Sequence, residues 1–432
     1  MKFRYGLDDK PKKTEMLVVG LQYFAVILPS IIILGTLVGV LEFGADYIPY
    51  LQKLLLIIGI FMIIQIYLGH RLPLVIGPVT VILIAILTSF NQGVGGINSS
   101  ILIGGILVSI LVASGLFRHV KKLFTPRVVT VILILLTFTL IPTIISLISV
   151  ENHVPSSYNV IFAIVLLFII FIGNTFLKGI WRSALTFLAL FGGSALYFII
   201  FGNFSPNLNL PLLSIPSGSF IGHLAVPNIS VFITFLISFL ALVIIDLGII
   251  QSAGIILDAD EMETRVEKGI FFTGLGNVLA GLLGVIGIVN YNLSIGIIST
   301  TKNASKFAVI PAAIIFLVLA FSPIAIGLIS NIPSPVLGIV LLYVLIMLIG
   351  PALLISIESN SIKNVDDGAI IGLPILLGTI IAFLPQSVIT QFPQVLQPLV
   401  ANGYVIGTIA VFLLEHVLYP RHSVYNEKKM KQ

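Results

Sequence analysis

The chain contains no cysteine, so neither disulfides nor thiol chemistry contribute, and nothing marks a redox compartment. Charge is scarce as well. Asp, Glu, Lys and Arg make up 9% of the 432 residues, against roughly a quarter in a soluble domain. The deficit runs along the whole chain, which excludes an ordinary soluble globular protein. Six histidines fall in loops or helix ends, and no His/Asp/Glu spacing suggests a metal site. No glycine-rich phosphate loop is present, so drive by ATP is not expected. The clustered His/Asp/Glu or Ser/His groups that intramembrane chemistry requires are also missing, which argues against an enzyme. No cofactor is expected. The net charge of +5 reflects basic loops rather than nucleic-acid binding.

What is present is apolar sequence: 58% of the residues are hydrophobic and the mean hydropathy is +1.17. Apolar runs separated by Gly, Pro, Asn and charged residues predict about fourteen membrane crossings. Their cores lie at 16–40, 50–69, 73–90, 99–117, 128–149, 159–176, 184–201, 230–257, 269–288, 293–300, 307–330, 335–356, 368–385 and 399–419. Residues 1–15 are basic, but the run that follows is too long for a signal peptide and reads as the first span. Basic residues test this layout. With the N-terminus inside, every Lys and Arg except Lys53 falls on the cytoplasmic side. A single miscounted span would invert every later loop. The expectation is a multi-pass plasma-membrane protein with both termini cytoplasmic.

Two features repeat seven spans apart. Thr125-Pro126-Arg127 opens the fifth span much as Ser334-Pro335-Val336 opens the twelfth. The third and tenth spans are both short or broken by Gly, Pro and polar residues. Seven is odd, so the halves would have opposite topology, and paired broken spans in an inverted repeat point to a transporter's binding site. The expected fold class is therefore an all-α polytopic membrane protein of two inverted seven-span repeats.

Asp246 is the acidic residue that does not fit a loop, tail or helix end. It lies near the middle of the run from Val231 to Leu257. A carboxylate there is costly unless it faces a cavity or partner, so it is a candidate for substrate binding or proton coupling. The alternative is a structural carboxyl bonded to neighbouring backbone. Val289-Asn290-Tyr291-Asn292-Leu293-Ser294 is the polar island of the tenth span. It either lines the substrate site or caps the half helix that follows, with Ser294 a natural N-cap. Thr80, Tyr23 and Ser30 are weaker candidates, because single hydroxyls in a bundle often satisfy helix backbone.

Several stretches resemble the nucleobase–ascorbate transporters of the uracil/xanthine permease type: Arg4-Tyr5-Gly6-Leu7-Asp8-Asp9-Lys10-Pro11 with Gly20-Leu21-Gln22, Arg71-Leu72-Pro73 through Gly77, Gly274-Leu275 through Gly296, and Ile332-Pro333-Ser334-Pro335-Val336. The resemblance implies strand-bearing third and tenth spans that cross near the bilayer centre. It implies a cytoplasmic tail at 1–15, a core domain at 16–117 and 230–331, a gate domain at 118–229 and 332–419, and a second tail at 420–432. It places Ile245 where the family has a base-binding carboxylate, beside Asp246. Leu293 and Ser294 stand at the tenth-span signature, Tyr23 and Ile249 at histidine positions, and Thr80 at an aromatic one. It also suggests a homodimer through the gate domains. The function implied is secondary transport of a nucleobase (uracil, xanthine or another purine or pyrimidine), proton-coupled and elevator-like. A sulfate-type anion carrier or channel on the same architecture is the alternative.

Overall fold

The computed structural model describes residues 3–117, 123–151, 154–202, 204, 209–216, 220–291, 293–394 and 396–419. The first half contains α1 (Lys13–Phe43), α2 (Ile48–Tyr67), β1 (Val75–Pro78), α3 (Thr80–Ser89) and α4 (Val94–Ala113). It continues with α5 (Pro126–Thr139), α6 (Ile141–Ile148), α7 (Ser156–Phe176) and α8 (Leu185–Phe201). The second half contains α9 (Ile229–Leu257), α10 (Met262–Leu283), β2 (Ile288–Tyr291), α11 (Leu293–Thr301), α12 (Ile310–Ala320) and α13 (Pro323–Ser330). It closes with α14 (Ser334–Glu358), α15 (Val365–Ala382) and α16 (Gly403–Leu413).

Among the described residues, nine helices are long and apolar enough to cross a membrane, or ten if α12 and α13, bent by 103°, form one span. This is a multi-pass membrane protein. Each predicted apolar run overlaps a helix, and several of these helices are short or broken. The third and tenth are a four-residue strand followed by a short helix. The basic loop residues Arg118, Lys121 and Lys122, as well as His153, Asn292 and the tail from 420 on, lie outside the described residues.

Local sequence explains the main elements. Pro126 sits in the first turn of α5, where its missing N–H is not needed, and the Thr125 hydroxyl accepts from Val128 N. Pro335 likewise lies in the first turn of α14, one residue further in. Close helix approach comes from small residues, as expected where lipid supplies no hydrophobic drive between helices. A Cβ on Gly105 would lie 2.5 Å from the backbone N of Val278, and one on Gly281 would lie 2.4 Å from that of Leu102. These contacts seat α4 directly on α10.

The helices pack in two groups. In one, α4 lies on α10, α2 on α12, and α1 on β1. In the other, α5 is surrounded by α14, α15 and α16. That second group is tied by a buried ionic cluster. Arg127 donates through Nη2 to Asp367 Oδ1 at 2.5 Å, through Nη1 to Glu415 Oε2 at 3.1 Å, and through Nε to the Ser361 carbonyl at 2.7 Å. Asp367 Oδ2 accepts from Lys363 N at 2.8 Å. Glu415 sits on a π-helical turn, Leu414–Leu418, that continues α16.

Candidate substrate site at the strand crossing

The two broken segments meet. β1 and β2 pair antiparallel, with Val75 opposite Tyr291, Ile76 opposite Asn290, Gly77 opposite Val289 and Pro78 opposite Ile288. A two-stranded ladder leaves two edges, and unpaired backbone at membrane depth costs several kcal/mol per group. Side chains close those edges. Asn277 of α10 behaves like a third strand: its Nδ2 donates to the Ile288 carbonyl at 2.9 Å and its Oδ1 accepts from Ile288 N at 3.0 Å. Ser294 Oγ accepts from Val75 N at 2.9 Å and donates to the Tyr291 carbonyl at 3.0 Å, joining β1 to the start of α11. Val79 N reaches the Gly287 carbonyl at 2.9 Å. A Cβ on Gly77 would stand 2.7 Å from Ile27 Cδ1 and 2.9 Å from the Tyr291 ring, so the crossing admits no side chain there.

Strand alternation sends neighbouring side chains to opposite faces. Asn290 therefore turns toward α9, and Tyr291 turns away from it. On the Tyr291 face, the tyrosine hydroxyl donates to the Pro78 carbonyl at 2.6 Å, and the hydroxyls of Ser30 and Thr80 stand close by. Tyr23 and Ser30 are buried on α1, and their hydroxyl oxygens have no hydrogen-bond partner. Thr80 opens α3.

On the Asn290 face, Asp246 is fully buried, and its Oδ1 accepts from Asn290 Nδ2 at 2.7 Å. Asp246 Oδ2 has no partner, although Thr273 faces the carboxylate. Asn290 Oδ1 in turn meets His70 Nε2 at 3.0 Å. Gln65 completes the cluster: its Nε2 donates to the Gly269 carbonyl at 2.8 Å and to Thr273 Oγ1 at 3.1 Å, and its Oε1 accepts from His70 N at 3.2 Å.

Of the sequence candidates, the structure gathers Tyr291, Thr80 and Ser30 on one face of the crossing and places Asp246 on the other. Ser294 serves the strand backbone. Ile245 and Leu293 are half-buried and contribute no polar group, and Asn292 is outside the described residues. The residues that sequence reasoning missed are His70, Gln65 and Thr273. His70 precedes Arg71-Leu72-Pro73 and reads as a loop histidine. Only the fold, by laying the start of β1 beside β2, brings it to Asp246.

Residues 14–387 match the Xan_ur_permease model, described as Permease family. The chain belongs to this family. It is 27% identical over 444 residues to the "Putative purine permease CPE0397" of Clostridium perfringens (strain 13 / Type A), an alignment covering 98% of this chain and 96% of that protein. It is 25% identical to "Uric acid permease PucK" of Bacillus subtilis (strain 168), covering 94% and 96%. Among solved structures, the transmembrane domain of the cyanobacterial bicarbonate transporter BicA superposes with a TM-score of 0.62 at 14% identity, covering 85% of this chain and 95% of that one. The overall structure of SLC26A9 gives 0.57 at 10% identity, covering 93% and 65%. At those identities the likeness establishes the fold alone. The chain is thus a permease-type membrane transporter and not an enzyme.

Proposed function

We propose that the chain carries a nucleobase, with a purine or oxidised purine favoured, across the membrane in symport with protons. The observation that carries this reading is the buried Asp246 carboxylate, which keeps one oxygen unpaired beside the strand crossing. A purine or pyrimidine presents ring N–H donors, and an acceptor oxygen held in low dielectric matches such a donor. The same oxygen is where a proton adds when the site is empty, because the groups facing the carboxylate, Asn290 and Thr273, are neutral. The relatives whose names refer to purine and uric acid transport support the same class.

The movement we infer is an elevator-like shift of a core domain (16–117 and 230–331) against a gate domain (118–229 and 332–419), each domain drawing on both of two inverted seven-span repeats. The packing of α1–α4 with α9–α13, and of α5 with α14–α16, supports this division. The distribution of Lys and Arg favours cytoplasmic termini. The expected gate-domain homodimer belongs to the same proposal. The outer face of α7, where Phe168 and Ile172 are exposed, suits either lipid or a second copy. Crosslinking of cysteines introduced there distinguishes the two.

The fold shared with anion transporters makes an anion carrier the second reading, but Asp246 places an acceptor, not a cation, at the crossing. Uptake into proteoliposomes under an imposed proton gradient separates the two. The panel holds labelled uracil, xanthine, hypoxanthine, adenine, guanine and uric acid, with sulfate and bicarbonate beside them. Saturable, gradient-dependent uptake of a base is expected. Sulfate or bicarbonate uptake without any base would overturn the assignment.

A further inference from the structure

Asn290 can present either its oxygen or its nitrogen to Asp246, and the structure contains the group that decides. His70 Nδ1 lies 2.9 Å from Leu72 N. A backbone N–H only donates, so Nδ1 is an acceptor without a proton. The neutral ring then carries its proton on Nε2. Nε2–H points to Asn290 Oδ1, and Asn290 Nδ2–H points to Asp246 Oδ1. The chain of donors runs one way, from Leu72 N through His70 and Asn290 to the carboxylate.

His70 is itself fixed from several sides. Its N–H is held by Gln65 Oε1, and its carbonyl accepts from Arg265 Nη1 at 3.1 Å. A reversed Asn290 amide would set its oxygen against Asp246 and its nitrogen against a donor, which is two lost bonds and a repulsion.

We propose that His70 is a positioning residue for substrate selection. By locking the Asn290 amide it keeps Asp246 Oδ1 occupied and leaves Oδ2 as the carboxylate oxygen without a hydrogen-bond partner on this face of the crossing. The ligand this favours is a flat heterocycle whose contacting edge carries one ring N–H. An analogue methylated at that nitrogen is rejected, because the methyl removes the donor and occupies the space of the bond. This rests on the nucleobase reading above. It goes further by naming which oxygen reads the base and which side chain, not in contact with the base, enforces the choice.

The test is competition of labelled xanthine uptake by xanthine and its N-methyl derivatives, using the full chain in proteoliposomes. Wild type should discriminate against one methylated position by at least about tenfold, the scale of one hydrogen bond to a charged group. His70→Ala frees Asn290 to turn. Discrimination should then fall to within about threefold and the xanthine KM should rise, while His70→Gln, which keeps a donor near Nε2, restores most of the selectivity. A His70→Ala protein with wild-type discrimination and KM overturns the proposal.

A second measurement does not depend on transport. In 15N-histidine-labelled wild type, the His70 ring, identified by its absence from the His70→Gln spectrum, should show a protonated Nε2 and an unprotonated Nδ1. A protonated Nδ1 overturns the relay. If wild type takes up no base at all, the nucleobase reading fails by itself, and the ring spectrum still decides the relay.

Discussion

Among the described residues, carboxylates are buried in two places, and the two are built differently. In the group formed by α5 with α14–α16, Asp367 and Glu415 surround Arg127, with backbone groups filling the remaining positions. At the strand crossing, Asp246 meets neutral groups, the Asn290 amide and the Thr273 hydroxyl that faces it, and its Oδ2 has no hydrogen-bond partner. Among the described residues, Asp246 Oδ2 is the only buried carboxylate oxygen without a partner. A carboxylate held by a guanidinium is committed to the fold, and removing one partner leaves a buried charge uncompensated. A carboxylate held by neutral groups alone is less committed, and the lone pairs of its unpartnered oxygen are available to something that comes and goes. The first cluster ties helices together, and the second has the form of a site.

The contrast breaks first at Arg127. Arg127→Met strands two carboxylates in the interior and should destabilise the protein by about 3–5 kcal/mol. A large drop in the melting temperature of detergent-solubilised protein would report it. Adding Asp367→Asn and Glu415→Gln to Arg127→Met should restore much of the loss, since a neutral cluster no longer needs the guanidinium. If Arg127→Met melted like wild type, the cluster would not be the tie described.

Asp246→Asn sharpens the comparison from the other side. It removes charge where charge is half paired, so the melting temperature should barely move. Base uptake should fall by about ten- to a hundredfold, the range of one hydrogen bond to a charged group. Normal uptake with lowered stability would reverse the roles assigned to the two clusters. Gly77→Ala follows in size. Its methyl meets Ile27 and the Tyr291 ring at under 3 Å, and overpacking of that kind costs typically about 1–3 kcal/mol. Stability and uptake should fall together, because the strand pairing and the site share that contact. Unchanged uptake in a destabilised protein would detach the crossing from transport.

How much of this could be read beforehand differs between the same two regions. The broken third and tenth spans were legible, because Gly, Pro and polar residues interrupt runs that are otherwise continuous, and the structure places strands there. Asp246 was legible because a lone carboxylate in an apolar run has few bland explanations. His70 was not. Its role depends on a contact across 220 residues, and nothing local distinguishes it from any histidine ending a span. The Arg127 cluster was hidden for a similar reason. Arg127 reads as one of the cytoplasmic basic residues, and Glu415 lies at the end of the last apolar run, where a charge is ordinary. Only packing turns them inward to each other. Periodicity and hydropathy report where backbone must be satisfied locally, whereas pairing between distant side chains leaves no local trace.

The smallest effect belongs to a third carboxylate, at the surface. The segment from Arg4 to Asp9 lies against the stretch that follows α11: Arg4 N reaches the Lys302 carbonyl at 2.9 Å, Ala304 N reaches the Tyr5 carbonyl at 3.1 Å, and Asp8 pairs with Lys306. The hydrogen bond from Lys306 holds the Asp8 carboxyl below its usual value, with the charges of Lys306, Arg265 and Arg71 adding to it. A carboxyl lowered in the folded state contributes stability above its ordinary titration range and loses it as the pH falls through the lowered value. Asp8 is largely exposed, so Asp8→Asn should cost less than about 1 kcal/mol at neutral pH. The gap in melting temperature between wild type and variant should narrow as the pH is lowered toward 4 and below. A gap that stays constant or widens on acidification would mean that Asp8 holds the strap by shape rather than by charge. Asp8 would then differ from Asp367, whose cluster is ionic, as well as from Asp246, whose Oδ2 has no hydrogen-bond partner.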